Sequence, residues 1–142
     1  RLPMVDAQQN VKKDRPVYRN IGLAQLIKYR LPWAGKVSIL HRISGAALFL
    51  MLPFLLYLLD QSLASEVSYQ KFQAITGHVL VKIILLGLIW SFLHHFCAGI
   101  RYLLLDLEIG VEKAEANRSA IVVFVLGLAL TAVVGLKLFG LF

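Results

Sequence analysis

Hydroxyl and ionisable side chains stand at two places inside long apolar stretches of this sequence, where such groups are costly and therefore indicate function. The first group opens the first apolar stretch and comprises Ser38, His41, Arg42 and Ser44. On a helix the first three share one face with Gly45. That face could form a polar pocket whose hydroxyl and guanidinium bind a carbonyl oxygen or an acidic headgroup. The alternative is that Arg42 extends to the membrane surface and the hydroxyls bond back to helix carbonyls.

The second group lies in the second apolar stretch and comprises His94, His95 and Arg101, with His78 nearer the opposite end. A histidine in a membrane helix can be a bonded interior residue, a proton relay or a metal ligand. Among metal centres haem is favoured, because imidazole is its usual axial ligand and Gly99 leaves room for a flat macrocycle one turn after His95. His94 points about 100° away from His95, so the two cannot face one iron.

Three uncharged runs must position these groups. With 58% apolar and 16% charged residues, the chain is too apolar for an ordinary soluble domain. Each run has about the 20 residues that cross a hydrocarbon core of about 30 Å. We therefore predict an all-α membrane protein, with a tail and lead-in at 1–37 and a membrane domain at 38–142 that contains helices at about 38–59, 79–105 and 119–141. The connector at 60–78 reads as polar and turn-like, and the one at 106–118 as charged.

Basic residues set the expected orientation. Residues 1–37 hold eight of the fifteen Lys and Arg, whereas the loop at 60–78 holds only Lys71. Positive loops stay on the cytoplasmic side, so we predict a cytoplasmic N-terminus and an external C-terminus. We expect no nucleic-acid partner, because the basic residues gather at one end without interleaved aromatics. No cleavable leader is visible in residues 1–37, so we expect the first hydrophobic helix to direct insertion.

Helix depth predicts that the two polar groups meet. His95 lies about ten residues, or roughly 15 Å, from the inner helix end at Asp106. Arg101 lies nearer to that end, and His41 and Arg42 lie at the inner end of the first helix. A macrocycle held at His95 could therefore turn its propionates toward these three basic side chains.

Small residues and a single cysteine complete the observations. Gly127, Thr131 and Gly135 form a small-xxx-small stripe that either allows close approach of another helix or reflects the frequency of glycine in membrane helices. Cys97 alone excludes an internal disulfide and an iron-sulfur cluster ligated by this chain only.

Two motifs carry a family resemblance. The string SILHRISG at 38–45, which follows Arg15-Pro16, and the string HFCAGIRYLLLD at 95–106 resemble the two signatures of the cytochrome b subunit of bacterial succinate dehydrogenases. With three predicted spans in the same order, the resemblance covers nearly the whole chain.

The resemblance implies one of two membrane anchors in a four-subunit succinate:quinone oxidoreductase of the bacterial cytoplasmic membrane. A flavoprotein subunit with FAD would oxidise succinate, and an iron-sulfur subunit would pass electrons to the anchors, so this chain would not be catalytic alone. The family places ubiquinone at Ser38 and Arg42, the iron of a haem b shared with the partner anchor on His95, and the propionates near His41 and Arg42.

Two alternatives stay open at this stage. The first is the anchor of a quinol:fumarate reductase, in which the same parts run in the opposite direction. The second is a non-catalytic membrane assembly or transport protein whose polar clusters only hold helices together.

Overall fold

A computed structural model describes residue 20 and residues 22–141, with the side chain of Leu26 left out. The helices are α1 (Leu23–Lys28), α2 (Trp33–Leu63), α3 (Glu66–Gly77), α4 (Val79–Asp106) and α5 (Lys113–Leu138). Over the described residues there is no β-strand. Three helices, α2, α4 and α5, are long and apolar enough to cross a membrane, which confirms the predicted fold class.

The N-terminal segment is a unit of its own. Among the described residues, those up to Arg30, which include the six-residue helix α1, form a unit separate from the residues that begin at Leu31. The Arg15-Pro16 motif and most of the predicted tail lie outside the described residues.

The first span begins earlier and ends later than the sequence predicted. Pro32 stands immediately before α2 in an extended conformation, where its missing N–H costs nothing, and the helix then runs to Leu63. Pro53 lies inside this helix, because the apolar run that crosses the membrane continues on both sides of it. Residues 33–37 of the predicted lead-in are therefore helical.

The connector at 60–78 is largely helical, which corrects the turn-like prediction. Ser65 begins α3 with a reciprocal capping box, in which its side chain accepts from the Ser68 N–H and the Ser68 hydroxyl accepts from the Ser65 N–H. His78 then caps α4, because its Nδ1 accepts from the Leu80 N–H at 3.3 Å. His78 thus has a structural role at the end of α4 opposite to the other histidines.

Left-handed residues terminate the last two spans. After α4, Glu108 has φ 61°, and the Ile109 N–H returns to the Leu104 carbonyl at 3.0 Å. After α5, Gly140 has φ 72°, and the Leu141 N–H donates to the Leu136 carbonyl at 3.0 Å. These are Schellman caps, in which a residue with positive φ lets the next N–H groups satisfy the last helix carbonyls. The first of them uses glutamate where glycine is the usual choice.

Helix α4 packs against both α2 and α5, and these two helices also touch each other. The small-residue stripe of α5 is buried and its two glycines face α4, so of the two interpretations the structure supports close approach of another helix, here within this chain. A Cβ added at Gly127 would lie 3.6 Å from the His94 Cα, and one at Gly135 would lie 2.8 Å from Leu86 Cδ1. The glycines therefore set the spacing between α4 and α5.

Candidate functional site

The imidazole of His95 is anchored by α2. Its Nδ1 lies 3.0 Å from the backbone carbonyl of His41 and 3.3 Å from Ser44 Oγ. A carbonyl oxygen can only accept a hydrogen bond, so Nδ1 carries the proton and donates it. The other ring nitrogen, Nε2, is then a lone-pair donor, and no hydrogen bond uses it within the described part of the chain. This is the arrangement in which protein histidines bind metals.

Close packing restricts the ring further. A Cβ at Gly45 would lie 2.9 Å from His95 Cε1, so only glycine lets α2 approach the ring at this distance. On another side, the His41 ring stacks on His95 with centroids 4.0 Å apart and an interplanar angle of 8°. Tyr102 packs against His41 with centroids 5.1 Å apart. The half-buried His95 thus has a defined position and a defined tautomer.

His94 faces a different direction from His95, as the helical geometry predicted. It is fully buried, stacks on Trp90 at 5.2 Å, and packs against Gly127 of α5. Neither of its ring nitrogens has a hydrogen-bond partner among the residues that the structure describes. His94 is therefore enclosed between helices, whereas His95 lies on the side that α2 shares.

The start of α2, the end of α4 and the start of α5 pack together, but Arg101 is directed toward α5. Its Nε donates to Ser119 Oγ and its Nη2 to the Ala116 carbonyl, both at 2.9 Å, and the residue is 5% exposed. These contacts join the end of α4 to the start of α5. The propionate role expected for Arg101 stays a prediction, and its hydrogen bonds do not support it.

The two proposed quinone residues lie one turn apart on α2. Ser38 is half-buried and Arg42 is exposed. Neither side chain makes a hydrogen bond or an ion pair to any described residue, so both remain available to a ligand or to a neighbouring chain. The carbonyl of His41 between them is already used by His95.

An apolar groove extends away from the histidine site along α2 and α4. It has a volume of about 380 Å³ and is lined by Leu48, Leu55, Leu85, Leu88, Ile89, Phe92, Leu93 and Val134. Leu48 follows His41 by seven residues, and Phe92 precedes His95 by three, so these residues continue the same helix faces. A haem needs an axial nitrogen and apolar walls, which the free Nε2 of His95 and an apolar groove farther along the same helices would provide.

Comparisons with known proteins agree on one family. Residues 12–134 match the family described as succinate dehydrogenase/fumarate reductase transmembrane subunit. The succinate dehydrogenase cytochrome b556 subunit of Coxiella burnetii is 38% identical over 101 residues, which are 70% of this chain and 81% of that protein. The subunit of the same name from Paracoccus denitrificans is 33% identical over 65% of this chain and 71% of that protein. The one from Rickettsia felis is 28% identical over 90% of this chain and 96% of that protein.

Fold and site together define a membrane protein of three spanning helices, in which a histidine of α4 is hydrogen-bonded to the backbone of α2. The chain belongs to the succinate dehydrogenase/fumarate reductase transmembrane subunit family, as a cytochrome b type membrane anchor of succinate dehydrogenase. It is a non-catalytic subunit of an oxidoreductase complex.

Sequence reasoning identified the histidines but missed what holds them. Ser44 was noted only as a member of a polar group, and Gly45 only as a member of a helix face. Both contact His95 of another helix, and a sequence does not show how two helices are rotated against each other. The bonds of Arg101 to Ser119 and Ala116 were missed for the same reason.

Proposed function

We propose that this chain holds a haem b through His95 Nε2, and that the second axial ligand comes from a partner membrane anchor. The observation that carries the proposal is the Nδ1–H bond from His95 to the His41 carbonyl, which leaves Nε2 free as a ligand. A partner must supply the second ligand, because His94 is enclosed against α5, His78 caps the far end of α4, and His41 stacks face to face on His95 instead of facing its Nε2.

The residues of this chain fix the ligand and select what surrounds it. When bound, haem b supplies one-electron chemistry, with a potential set by its axial ligands and their hydrogen bonds. The His41 carbonyl accepts the hydrogen bond from His95 Nδ1, which makes Nε2 more basic. Gly45 has no Cβ and therefore leaves room for the ring. The apolar groove excludes water from the macrocycle side. His41 and Arg42 lie at the inner end of α2, where basic groups would meet the propionates.

We assign ubiquinone to Ser38 and Arg42. They stand at i and i+4 on α2, so a hydroxyl and a guanidinium can reach one ligand from the same helix face. Such donors stabilise the negative charge that develops on a quinone carbonyl oxygen during reduction. Electrons would come from the iron-sulfur subunit, which in turn receives them from the FAD of the flavoprotein subunit.

Paired activity assays test the quinone assignment. Ser38→Ala or Arg42→Leu should impair quinone reduction by about 10- to 150-fold, the equivalent of one charged hydrogen bond of about 1.5–3 kcal/mol. Succinate oxidation with an artificial dye acceptor should stay largely intact, because electrons still reach the iron-sulfur subunit. Ser62→Ala on the same helix, far along it toward α3, is the matched control. Equal loss of both activities in an assembled complex would contradict the assignment.

We further propose the bacterial cytoplasmic membrane as the location, with the N-terminus inside. The support is the excess of Lys and Arg in residues 1–37 over the loop at 60–78. With this orientation the Ser38 and Arg42 pair lies near the cytoplasmic surface, on the side where the iron-sulfur and flavoprotein subunits would dock.

A further inference from the structure

Ser44 is the most completely buried hydroxyl beside the histidine site. It lies on α2 with 0% exposure, and its hydroxyl donates to the His41 carbonyl at 2.9 Å. Serine in a helix often bonds back to a carbonyl three or four residues earlier, so this bond alone indicates nothing beyond local structure. Ser62 on the same helix makes the same bond to Leu59 at 2.7 Å.

What distinguishes Ser44 from Ser62 is a second contact, to His95. Ser44 Oγ lies 3.3 Å from His95 Nδ1, and the carbonyl to which Ser44 donates also receives the Nδ1 proton at 3.0 Å. Because the Ser44 proton is committed to the carbonyl, the lone pairs of Oγ are free to accept. His95 therefore donates one N–H to two acceptors, and the oxygen of Ser44 is one of them.

Two acceptors fix a ring orientation that one acceptor does not. With a single carbonyl as acceptor, the imidazole can turn about its Cβ–Cγ bond over the range of angles that a hydrogen bond tolerates. A second acceptor placed 3.3 Å from the same nitrogen penalises such a turn, since Nδ1 then leaves one of its partners. Gly45 packs on Cε1 at the neighbouring edge and limits the opposite movement. The plane of the ring, and with it the direction of the Nε2 lone pair, is thus defined.

From this geometry we infer that Ser44 is a positioning residue, which sets the plane of the His95 imidazole and thereby the direction in which its Nε2 would ligate a haem. The inference rests on the proposed function, because it presumes that His95 is the axial ligand. It predicts a change in ligand orientation and in haem retention, whereas a purely structural serine would change neither.

The test is the variant Ser44→Ala in the complete complex, with Ser62→Ala as the matched control. The low-field EPR signal of a low-spin ferric haem with two imidazole ligands depends on the angle between the ring planes. Ser44→Ala should shift or broaden that signal and should weaken haem binding by about 10-fold, measured as haem transfer to apomyoglobin, since loss of an outer-shell partner typically costs 10- to 100-fold in affinity. Ser62→Ala should match the unsubstituted complex in both measurements.

A second pair of variants decides the outcome if alanine prevents assembly. Ser44→Cys keeps a small side chain with only weak hydrogen bonding and should reproduce the altered signal, whereas Ser44→Thr keeps the hydroxyl and should give a signal closer to the native one than Ser44→Cys does. A native EPR signal and native haem retention in Ser44→Ala or Ser44→Cys would overturn the role of Ser44. The proposed function fails separately, if His95→Leu keeps the low-spin signal.

Discussion

Replacement of Gly45 by alanine tests how closely α2 must approach His95, the proposed haem ligand. The new Cβ would lie 2.9 Å from His95 Cε1 and 3.3 Å from Nδ1, whereas ordinary contacts begin at 3.4 Å. The ring must therefore withdraw by about half an ångström, which is the tolerance within which a functional site has to be held. Its bond to the His41 carbonyl, 3.0 Å long, would lengthen or bend accordingly.

The expected cost follows from overpacking. An extra methyl in a packed position costs about 1–3 kcal/mol. If His95 moves to relieve the clash, this cost appears as weaker haem ligation, which corresponds to about a 5- to 150-fold loss of affinity. Alanine also favours a helix over glycine by about 1 kcal/mol, so the loss should not arise from a weakened helix.

Haem content per assembled complex and the low-spin EPR signal are the measurements. Gly87→Ala is the control, because its new Cβ would meet nothing within 4 Å among the described residues of this chain. Gly45→Ala should lose haem or change its signal, and Gly87→Ala should do neither. Native haem content and a native signal in Gly45→Ala would refute the reasoning that this approach positions His95.

Three further predictions concern the fold. Arg101→Gln should lower the free energy of unfolding by about 1.5–3 kcal/mol for each charged hydrogen bond to α5 that is lost, which a lower thermal midpoint would show. The exposed Arg118→Gln should change the midpoint little, and equal midpoints for the two variants would contradict this prediction. Glu108→Gly should raise the thermal midpoint by relieving a left-handed conformation that costs an L-residue about 1–2 kcal/mol, whereas Glu112→Gly, with φ −61°, should not. A reporter fused after Phe142 should appear on the periplasmic side, and a cytoplasmic signal would sink the proposed orientation.

The three spans were predictable because length and polarity alone decide whether a segment can cross lipid. The separation of His94 from His95 was predictable too, because adjacent residues on a helix always point about 100° apart. The connector at 60–78 was misread, since its polar composition hid a helix that begins at the Ser65 and Ser68 capping box. Two serines three residues apart predict a helix start more weakly than the usual capping box, in which glutamate follows serine after three residues.

Contacts between helices were out of reach of the sequence. That the His41 carbonyl would receive the His95 proton depends on how α2 and α4 rotate against each other, and periodicity gives only which residues share a face. Arg101 illustrates the same limit, because its depth was right but its direction, toward Ser119 on α5, was not foreseen. The small residues Gly127, Thr131 and Gly135 were noted in the sequence as a stripe that could allow close helix approach, whereas the contact of Gly45 with His95 was not.

The most direct test of the central claim is the low-spin haem signal, measured by optical difference and EPR spectra, in His95→Leu and His94→Leu complexes. His95→Leu should remove or change the axial ligation, because the imidazole that α2 holds with a free Nε2 is lost. His94→Leu should keep an ordinary bis-imidazole signal, since His94 is enclosed against Gly127 of α5. If the His94 variant loses the signal and the His95 variant keeps it, the assignment of His95 as the haem ligand is wrong.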